Sequence, residues 1–571
     1  MHHLILPWPL PAECANRLKL RELTMNTTSP LTRLWRLVRS EQSDIRDVYI
    51  FSLFQGMVNL SLPLGIQAII NLLQAGQLRA SWAVLVVFVL LGIFFNGLLQ
   101  LRQMAITESI EQRLFVKSSF DFAYRLPRAS FDSVKGKYFP EVMNRFFEIM
   151  TVQKGVSKLL LDFSTAVIQI VFGLLLLSFY HPLFIMLGVL LALLLIGIFR
   201  FTGKEGLNSS LEESKHKFAV AHWLEELSRT FTTFKLSGSS KLPLEQTDTH
   251  TSAYLNARKR HFSILVIQFK ALVVFKLLLA AALIIAGSVL VIEGQINIGQ
   301  FVAAEIVILM IIGSVEKIIL NMSTVYDVLT ALDKIGSITD ISLEREGGID
   351  IRETGGEAGL HLKIQDLGYT FSDATTAVIK GFNLEVKPGE HVCIAGPNGS
   401  GKTLLLKLIT GYYAKFDGSI TMNDVPLENL DLVALREVIG ENFADQSVFK
   451  GTVIQNITCG RDHIGIQEVL DAARMVNLHD YITTLPEGYE TMIDPEGKVL
   501  SAGIIRKMIL ARCLAGKPKM LLMEDNLQAI LPAERMELLE RILKANSNCS
   551  VVIISNNPAV QQLVQRTIHI A

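Results

Sequence analysis

The sequence predicts a multidomain chain, with an all-α transmembrane domain of six helices followed by an α/β domain, and three observations predict it. Half of the 571 residues are hydrophobic and only 19% are charged, below the roughly 25% of ordinary soluble domains. The apolar residues gather before residue 325 in runs long enough to cross a bilayer. From about residue 359 the pattern changes to short buried-strand runs that alternate with helical stretches.

Composition also excludes several classes. The 54 Lys and Arg cancel the 54 Asp and Glu, so there is no basic footprint for tracking phosphates, and nucleic acid is not an expected partner. The apolar content rules out disorder. The five cysteines, Cys14, Cys393, Cys459, Cys513 and Cys549, lack paired spacing and read as reduced thiols rather than a disulfide framework.

The apolar runs are approximately 48–73, 80–100, 158–180, 182–202, 264–292 and 298–320. A helix needs about 20 such residues to span roughly 30 Å of hydrocarbon, so each run is a candidate span. The connections at 74–79, His181-Pro182 and 293–297 carry a single Arg between them, whereas Arg33, Arg36, Arg39 and Arg46 precede the first run. The stretches 101–157 and 203–261 are rich in Lys and Arg, which places them and both chain ends on the cytosolic side of a multi-pass integral membrane protein. Residues 1–24 lack the pattern of a signal peptide, and Met25 reads as an alternative start within an N-terminal cytosolic segment, 1–45.

The two basic stretches have helical composition, so the membrane helices are expected to project into the cytosol. Each has a break where a helix can reverse, at Gly136-Lys137-Tyr138-Phe139-Pro140 and at Lys235-Leu236-Ser237-Gly238-Ser239-Ser240. Charges inside the spans include Lys270, Lys276 and Glu305. Lys270 and Lys276 sit in a run longer than a bilayer needs and can snorkel, whereas Glu305 lies deeper and is either a structural partner of another helix or a cavity-facing group. The membrane domain is then 46–322, a linker follows over 323–358, and the second domain covers 359–571.

In that second domain the strand His391 to Ala395 runs into Gly396-Pro397-Asn398-Gly399-Ser400-Gly401-Lys402-Thr403 and then the helical run Leu404 to Ile409. Strand, glycine loop and helix are the context that the pattern GxxxxGK[ST] requires. Gly396, Gly399 and Gly401 let successive N–H groups converge on a phosphate, and Lys402 reaches its outer oxygens. The Thr403 hydroxyl suits a Mg2+ ligand. The domain is therefore an α/β P-loop nucleotide-binding domain, with ATP and Mg2+ as expected cofactors.

Six spans, a linker and a phosphate-loop domain in this order resemble an ATP-binding cassette half-transporter of the exporter type. The resemblance runs from about residue 45 to the end of the chain. It implies that Phe371, in Tyr369-Thr370-Phe371-Ser372, stacks on adenine, and that Leu500-Ser501-Ala502-Gly503-Ile504 is the signature segment that caps the nucleotide of an opposite subunit.

Several positions depart from the family's pattern. The signature would read LSGGQ, so Ala502 adds a side chain to a glycine position and Ile504 loses a hydrogen-bonding group. After the strand Met520 to Met523 the acids are swapped: Glu524 takes the place of the metal-holding Asp and Asp525 that of the general base, one methylene shorter. A displacement of about 1 Å costs on the order of 10²-fold in rate. Ala444 stands where the family has a Gln, with Gln446 two residues late. Asn556 replaces the switch His and Leu531 a later Asp. The implied activity is ATP binding with impaired hydrolysis.

The segments Ser61-Leu62-Pro63-Leu64-Gly65-Ile66-Gln67 and Gly294-Gln295-Ile296-Asn297-Ile298-Gly299-Gln300 are similar to the bacterial polypeptide-secretion branch. This implies export across a bacterial inner membrane, with the cassette in the cytoplasm, a periplasmic adaptor and an outer-membrane channel as partners, and a homodimer or a heterodimer with a second half-transporter. Lipid is the alternative cargo. A regulatory or scaffolding subunit is the alternative role.

Overall fold

A computed structural model describes residues 29–74, 80–134, 139–354, 359–371, 374, 376–493 and 500–570, with the side chains of 139–141, 185, 187, 191 and 192 also left aside. The start-site reading at 1–24, most of the 74–79 connection, Gly136 to Tyr138 of the first break, and 355–358 of the expected linker lie outside the described residues. The chain divides into two compact units, Met1–Pro127 with Gly136–Ile341, and Arg128–Lys135 with Ser342–Ala571.

The first unit is helical. Ser29 caps the helix Pro30–Ser40 by accepting from the Thr32 amide at 3.3 Å, and proline at the first position needs no partner for a missing N–H. The first apolar run is two helices, Gln42–Asn59 and Ser61–Gln74, rather than one, with Pro63 in the first turn of the second. The helices Ala80–Arg125, Leu183–Arg229 and Leu242–Ile292 are 46, 47 and 51 residues long. That is more than twice a bilayer's requirement, so they continue well beyond it, as expected. Among the described residues five helical segments are long and apolar enough to cross a membrane. The fourth predicted run, 182–202, lies on Leu183–Arg229, where some side chains are not described.

The helix Ile298–Leu320 opens with a capping box. The Gln300 amide donates to Asn297 Oδ1 at 2.8 Å, and the Asn297 amide donates to Gln300 Oε1 at 2.9 Å. Gly299 allows close approach to the helix Ser61–Gln74, because a Cβ there would lie 2.3 Å from Asn71 Oδ1. The second of the segments that carry the secretion-branch resemblance therefore meets that helix at Gln67, the last residue of the first segment, and at Asn71. Interhelical polar contacts add to this packing. Ser52 and Ser164 hydroxyls are 2.8 Å apart, and Asn321 Nδ2 donates to Asp162 Oδ2 at 2.9 Å.

Further expectations need correction. Residues 322–339 form a helix, Met322–Thr339, rather than a linker, because Tyr326, Val328, Leu329, Ala331 and Leu332 give it a buried apolar face. Lys276 does not snorkel alone. Its ammonium meets Glu316 Oε2 at 2.5 Å across two helices, and Glu316 had not been counted among the charges of the spans. The first break is also broader than expected: the helix stops at Arg125, the 3-10 helix Leu126–Arg128 and the short α-helix Phe131–Val134 follow, and Phe139–Asn144 leads toward the next long helix, Glu148–Tyr180. The second break falls where expected, after the short helix Phe231–Leu236.

The second unit holds two main sheets. β1 (Leu362–Tyr369), β2 (Ile379–Val386), β4 (Asp417–Met422) and β5 (Val425–Pro426) form an antiparallel sheet in the order β2-β1-β4-β5. β3 (His391–Ala395), β6 (Ile439–Asn442), β9 (Met520–Glu524), β10 (Ser550–Ile554) and β11 (Arg566–His569) form a parallel sheet in the order β11-β3-β10-β9-β6. β3, β9 and β10 are buried at every residue, which explains their unbroken apolar runs. A short ladder, β7 (Gly451–Thr452) with β8 (Met492–Ile493), completes the strands described. One core joins the antiparallel sheet to the helix Lys402–Ile409, and a second packs the helix Ala502–Ala515 and its neighbours. Cys393, Cys459, Cys513 and Cys549 are free thiols, and burial pushes Cys549 up to about 12.

Candidate functional site

Strand register decides which residues meet at the C-terminal edge of the parallel sheet. Ile554 is level with Ile394 on one side and with Glu524 on the other, and Asn442 is level with Met523. The residues that follow, Gly396, Asn556, Asp525 and Ala444, therefore arrive at one edge, where open α/β sheets bind ligands.

The loop Gly396 to Thr403 is built for close approach. Gly401 has φ +83°, and a Cβ there would lie 3.1 Å from both Val378 and Ile379. Gly396 would place its Cβ 2.4 Å from the Ile570 carbonyl oxygen. Pro397, Asn398, Gly399 and Thr403 are exposed at the rim, and Ser400 is half-buried. Lys402 Nζ donates to the Gly396 and Pro397 carbonyls at 2.8 and 2.6 Å, and burial pushes its ammonium below the ordinary lysine range. All its bonds are to neutral oxygens, so an anionic ligand completes the site, and a triphosphate fits it.

Asn556 is bound to the loop at both ends of its amide. Its Oδ1 accepts from the Gly396 amide at 2.9 Å, and its Nδ2 donates to the Gly396 carbonyl at 2.8 Å. The switch position thus holds the loop rather than standing free.

The two acids differ sharply in their surroundings. Glu524 Oε2 accepts from the Ala444 amide at 2.6 Å, while its Oε1 is buried without a partner. A buried, orphaned carboxylate oxygen fits a cation. Among the described residues no three of His, Cys, Asp and Glu converge on a metal, so Mg2+ here would rest on Thr403, Glu524, phosphate oxygens and water. Asp525 is already engaged. Ser555 Oγ donates to its Oδ2 at 2.6 Å, and the Arg535 guanidinium forms an ion pair with the same oxygen. The Asp525 and Arg535 side chains are only 8% and 14% exposed, so this base position is held in a buried salt bridge.

Phe371 follows β1 and lies 5.1 Å from the Tyr369 ring and 6.3 Å from the Tyr413 ring, centroid to centroid. Tyr369 pairs with Ile379, which touches Gly401, so this aromatic group sits beside the phosphate loop. Phe131, from the first break, packs on Tyr412 and Tyr413 at 4.9 and 4.7 Å. The segment Arg128–Lys135 is also tied to the second unit by its backbone, since the Ser130 amide donates to the Ser342 carbonyl at 2.8 Å.

In the signature segment, Leu500 is buried and Ser501 caps the helix Ala502–Ala515 by accepting from the Ile504 amide at 3.4 Å. Gly503 lies close to the Ala529 carbonyl, 3.0 Å from where its Cβ would be. Among the described residues no hydrogen bond joins Leu500 to Ile504 with the phosphate loop of the same chain. Gln446 is used locally, accepting from the Phe443 amide at 3.3 Å, and Leu531 is exposed.

Arg535 and Ser555 were not identified from sequence. Ser555 adjoins a recognised position and had a signal in its place after β10. Arg535, ten residues beyond Asp525 across a turn, had none.

The comparisons agree on a family. The model for the ABC transporter transmembrane region matches residues 48–315, and that for the ABC transporter cassette matches residues 379–527. The chain is 28% identical over 272 residues to an ATP-dependent lipid A-core flippase of Syntrophus aciditrophicus, covering 47% of this chain and 46% of that protein. It is 25% identical over 282 residues to the alpha-hemolysin translocation ATP-binding protein HlyB of Escherichia coli O157:H7, covering 49% and 40%. It is 28% identical over 244 residues to the ABC transporter B family member 29, chloroplastic, of Arabidopsis thaliana, covering 41% and 37%. These matches span less than half the length of each relative. The fold is that of a bacterial Atm1-family ABC exporter solved with ATP bound, at a TM-score of 0.82 and 17% identity over 93% of both chains. With both family models matched in order along one chain and the exporter fold over nearly all of it, this protein belongs to the ABC transporters.

Proposed function

We propose that this chain is an exporter-type half-transporter that binds ATP with Mg2+, works as a dimer, and couples nucleotide binding to outward movement of a substrate. Its own hydrolysis is slow or assisted by a partner. In this reading 46–322 is the membrane domain and 359–571 the cassette, with a bacterial inner membrane as its location.

One observation carries it. Among the described residues Lys402 binds only neutral oxygens, which suits a triphosphate, while Asp525 is held in an ion pair by Arg535. Gripping the nucleotide requires the first feature and not the second. In the dimer, Ser501 and Gly503 would cap the partner's nucleotide, and Phe371 would stack on adenine. Closure of the cassettes would reach the membrane helices through Phe131.

The substrate class is proposed as a polypeptide, supported by the HlyB relatives and the two segments similar to the secretion branch, with a periplasmic adaptor and an outer-membrane channel as partners. Lipid is the competing cargo, supported by the flippase relative. A second reading, a silent subunit that binds nucleotide for a competent partner, is favoured by the Arg535–Asp525 pair itself. ATP hydrolysis by the purified chain in lipid, alone and mixed with any half-transporter that co-purifies, separates the two. Turnover only in the mixture supports the second.

A further inference from the structure

The helix Ile298–Leu320 is the most enclosed of the candidate spans, with half of its apolar window buried, against none in the Ala80–Arg128 segment. It packs on the helices Ser61–Gln74, Glu148–Tyr180 and Leu242–Ile292. One stripe stays open. Ile298, Leu309 and Leu320 are 51%, 61% and 53% exposed, and Glu305 is exposed between the first two. Steps of seven and four residues keep these positions on a single face. The face opposite, with Ala304, Ile308 and Ile311, is buried.

Glu305 is seven residues in from Ile298, about 10 Å along the helix axis. A glutamate side chain is too short to bring its carboxylate from there back to the interface, and leaving that charge in hydrocarbon costs several kcal/mol. The other acid of the stripe, Glu316, is neutralised within the chain by Lys276. Glu305 makes no hydrogen bond or ion pair among the described residues, so the stripe carries one uncompensated negative charge per chain. A twofold contact of this stripe with a second copy would set Glu305 toward Glu305, adding repulsion to the cost of desolvation. The charge calls for a cation that the described residues of this chain do not supply.

We propose that Glu305 is the specificity-determining residue of a substrate pathway lined by this stripe, and that it recognises a cationic group on an amphipathic substrate. Ile298 and Leu309 give the apolar surface on either side of the carboxylate. This rests on the export reading for the word substrate, but the binding site itself can be tested without it.

The test uses the full chain in nanodiscs of phosphatidylcholine, with empty nanodiscs as baseline. Equilibrium binding of tetraphenylphosphonium is compared with that of tetraphenylborate, an anion of the same size. The native chain is expected to bind the cation above baseline and the anion not at all, and Glu305→Gln to weaken cation binding at least tenfold. ATP retention is measured on the same preparations and reports separately on the nucleotide-driven reading. In the native chain, tetraphenylphosphonium should protect Glu305 from modification by dicyclohexylcarbodiimide, read by peptide mass spectrometry, which needs no variant to fold. Cation binding unchanged in Glu305→Gln, or labelling of Glu305 indifferent to the cation, would overturn the proposal. Glu305-dependent cation binding without ATP retention would uphold the site and sink the export reading alone.

Discussion

Arg535 forms a buried ion pair with Asp525, the residue that stands where the general base of the cassette belongs. The pair explains more than the missing methylene does. The guanidinium and the Ser555 hydroxyl both hold this carboxylate through Oδ2, whatever its length. Its Oδ1 is buried with no hydrogen-bond partner among the described residues, so burial rather than pairing keeps that oxygen from bulk water.

Freeing that carboxylate should restore chemistry. Arg535→Ala combined with Asp525→Glu is expected to raise ATP turnover about tenfold or more over the native chain, against a Lys402→Ala blank. Unchanged turnover in the double variant would show that other positions limit the rate.

Breaking the pair from one side should also cost stability. Arg535→Met leaves Asp525 buried with Ser555 alone, and is expected to destabilise the cassette by roughly 3 kcal/mol. Thermal unfolding of the detergent-solubilised chain measures this, and a variant as stable as the native chain would mean that the acid is already solvated.

Much of this arrangement was legible in the sequence, and the exceptions share a cause. The phosphate loop announces itself because strand, glycines and lysine are contiguous, and β3, β9 and β10 because strands buried on both faces read as unbroken apolar runs. The membrane pattern, of which five segments qualify as spans among the described residues, follows from length and hydropathy alone. Arg535, and Glu316 beside Lys276, were invisible because their partners lie on other elements: only the fold brings them together. The Met322–Thr339 helix was hidden because it is amphipathic, with one buried apolar face, rather than apolar all round.

Asn556 should be a fastener of the loop rather than a catalytic switch. Asn556→Ala removes two hydrogen bonds to Gly396 and is expected to weaken ATP binding several-fold, each bond contributing about 1 kcal/mol. Fluorescent-nucleotide titration checks it. Unaltered affinity would assign the two bonds no role in shaping the site.

Phe131 should matter for coupling and little for nucleotide affinity. Phe131→Ala removes ring contacts with Tyr412 and Tyr413, each worth about 1 kcal/mol beyond area burial. ATP retention is expected to stay within twofold of the native chain, while nucleotide-dependent changes in distance between labels on the membrane helices disappear. Persistence of those changes would remove Phe131 from the coupling path.

Glu441, in β6, gives a pH signature. Burial pushes its carboxyl above the ordinary glutamate value, with Arg436 pulling the other way. A carboxyl raised by folding stabilises the native state when protonated, and that contribution is lost as pH rises through the folded value. Glu441→Gln should therefore be more stable than the native chain at neutral pH, and the advantage should vanish below the ordinary glutamate range. Equal melting temperatures at pH 7 would contradict the assignment.

The central claim is that this cassette holds ATP while its own base is withheld. It is tested most directly by mixing the purified full chain in lipid with γ-labelled ATP and Mg2+, and following retained nucleotide and released phosphate together. Retention that depends on Lys402, with phosphate release close to the Lys402→Ala blank, is the predicted result. Rapid release by the unmixed chain, or no Lys402-dependent retention, would contradict it.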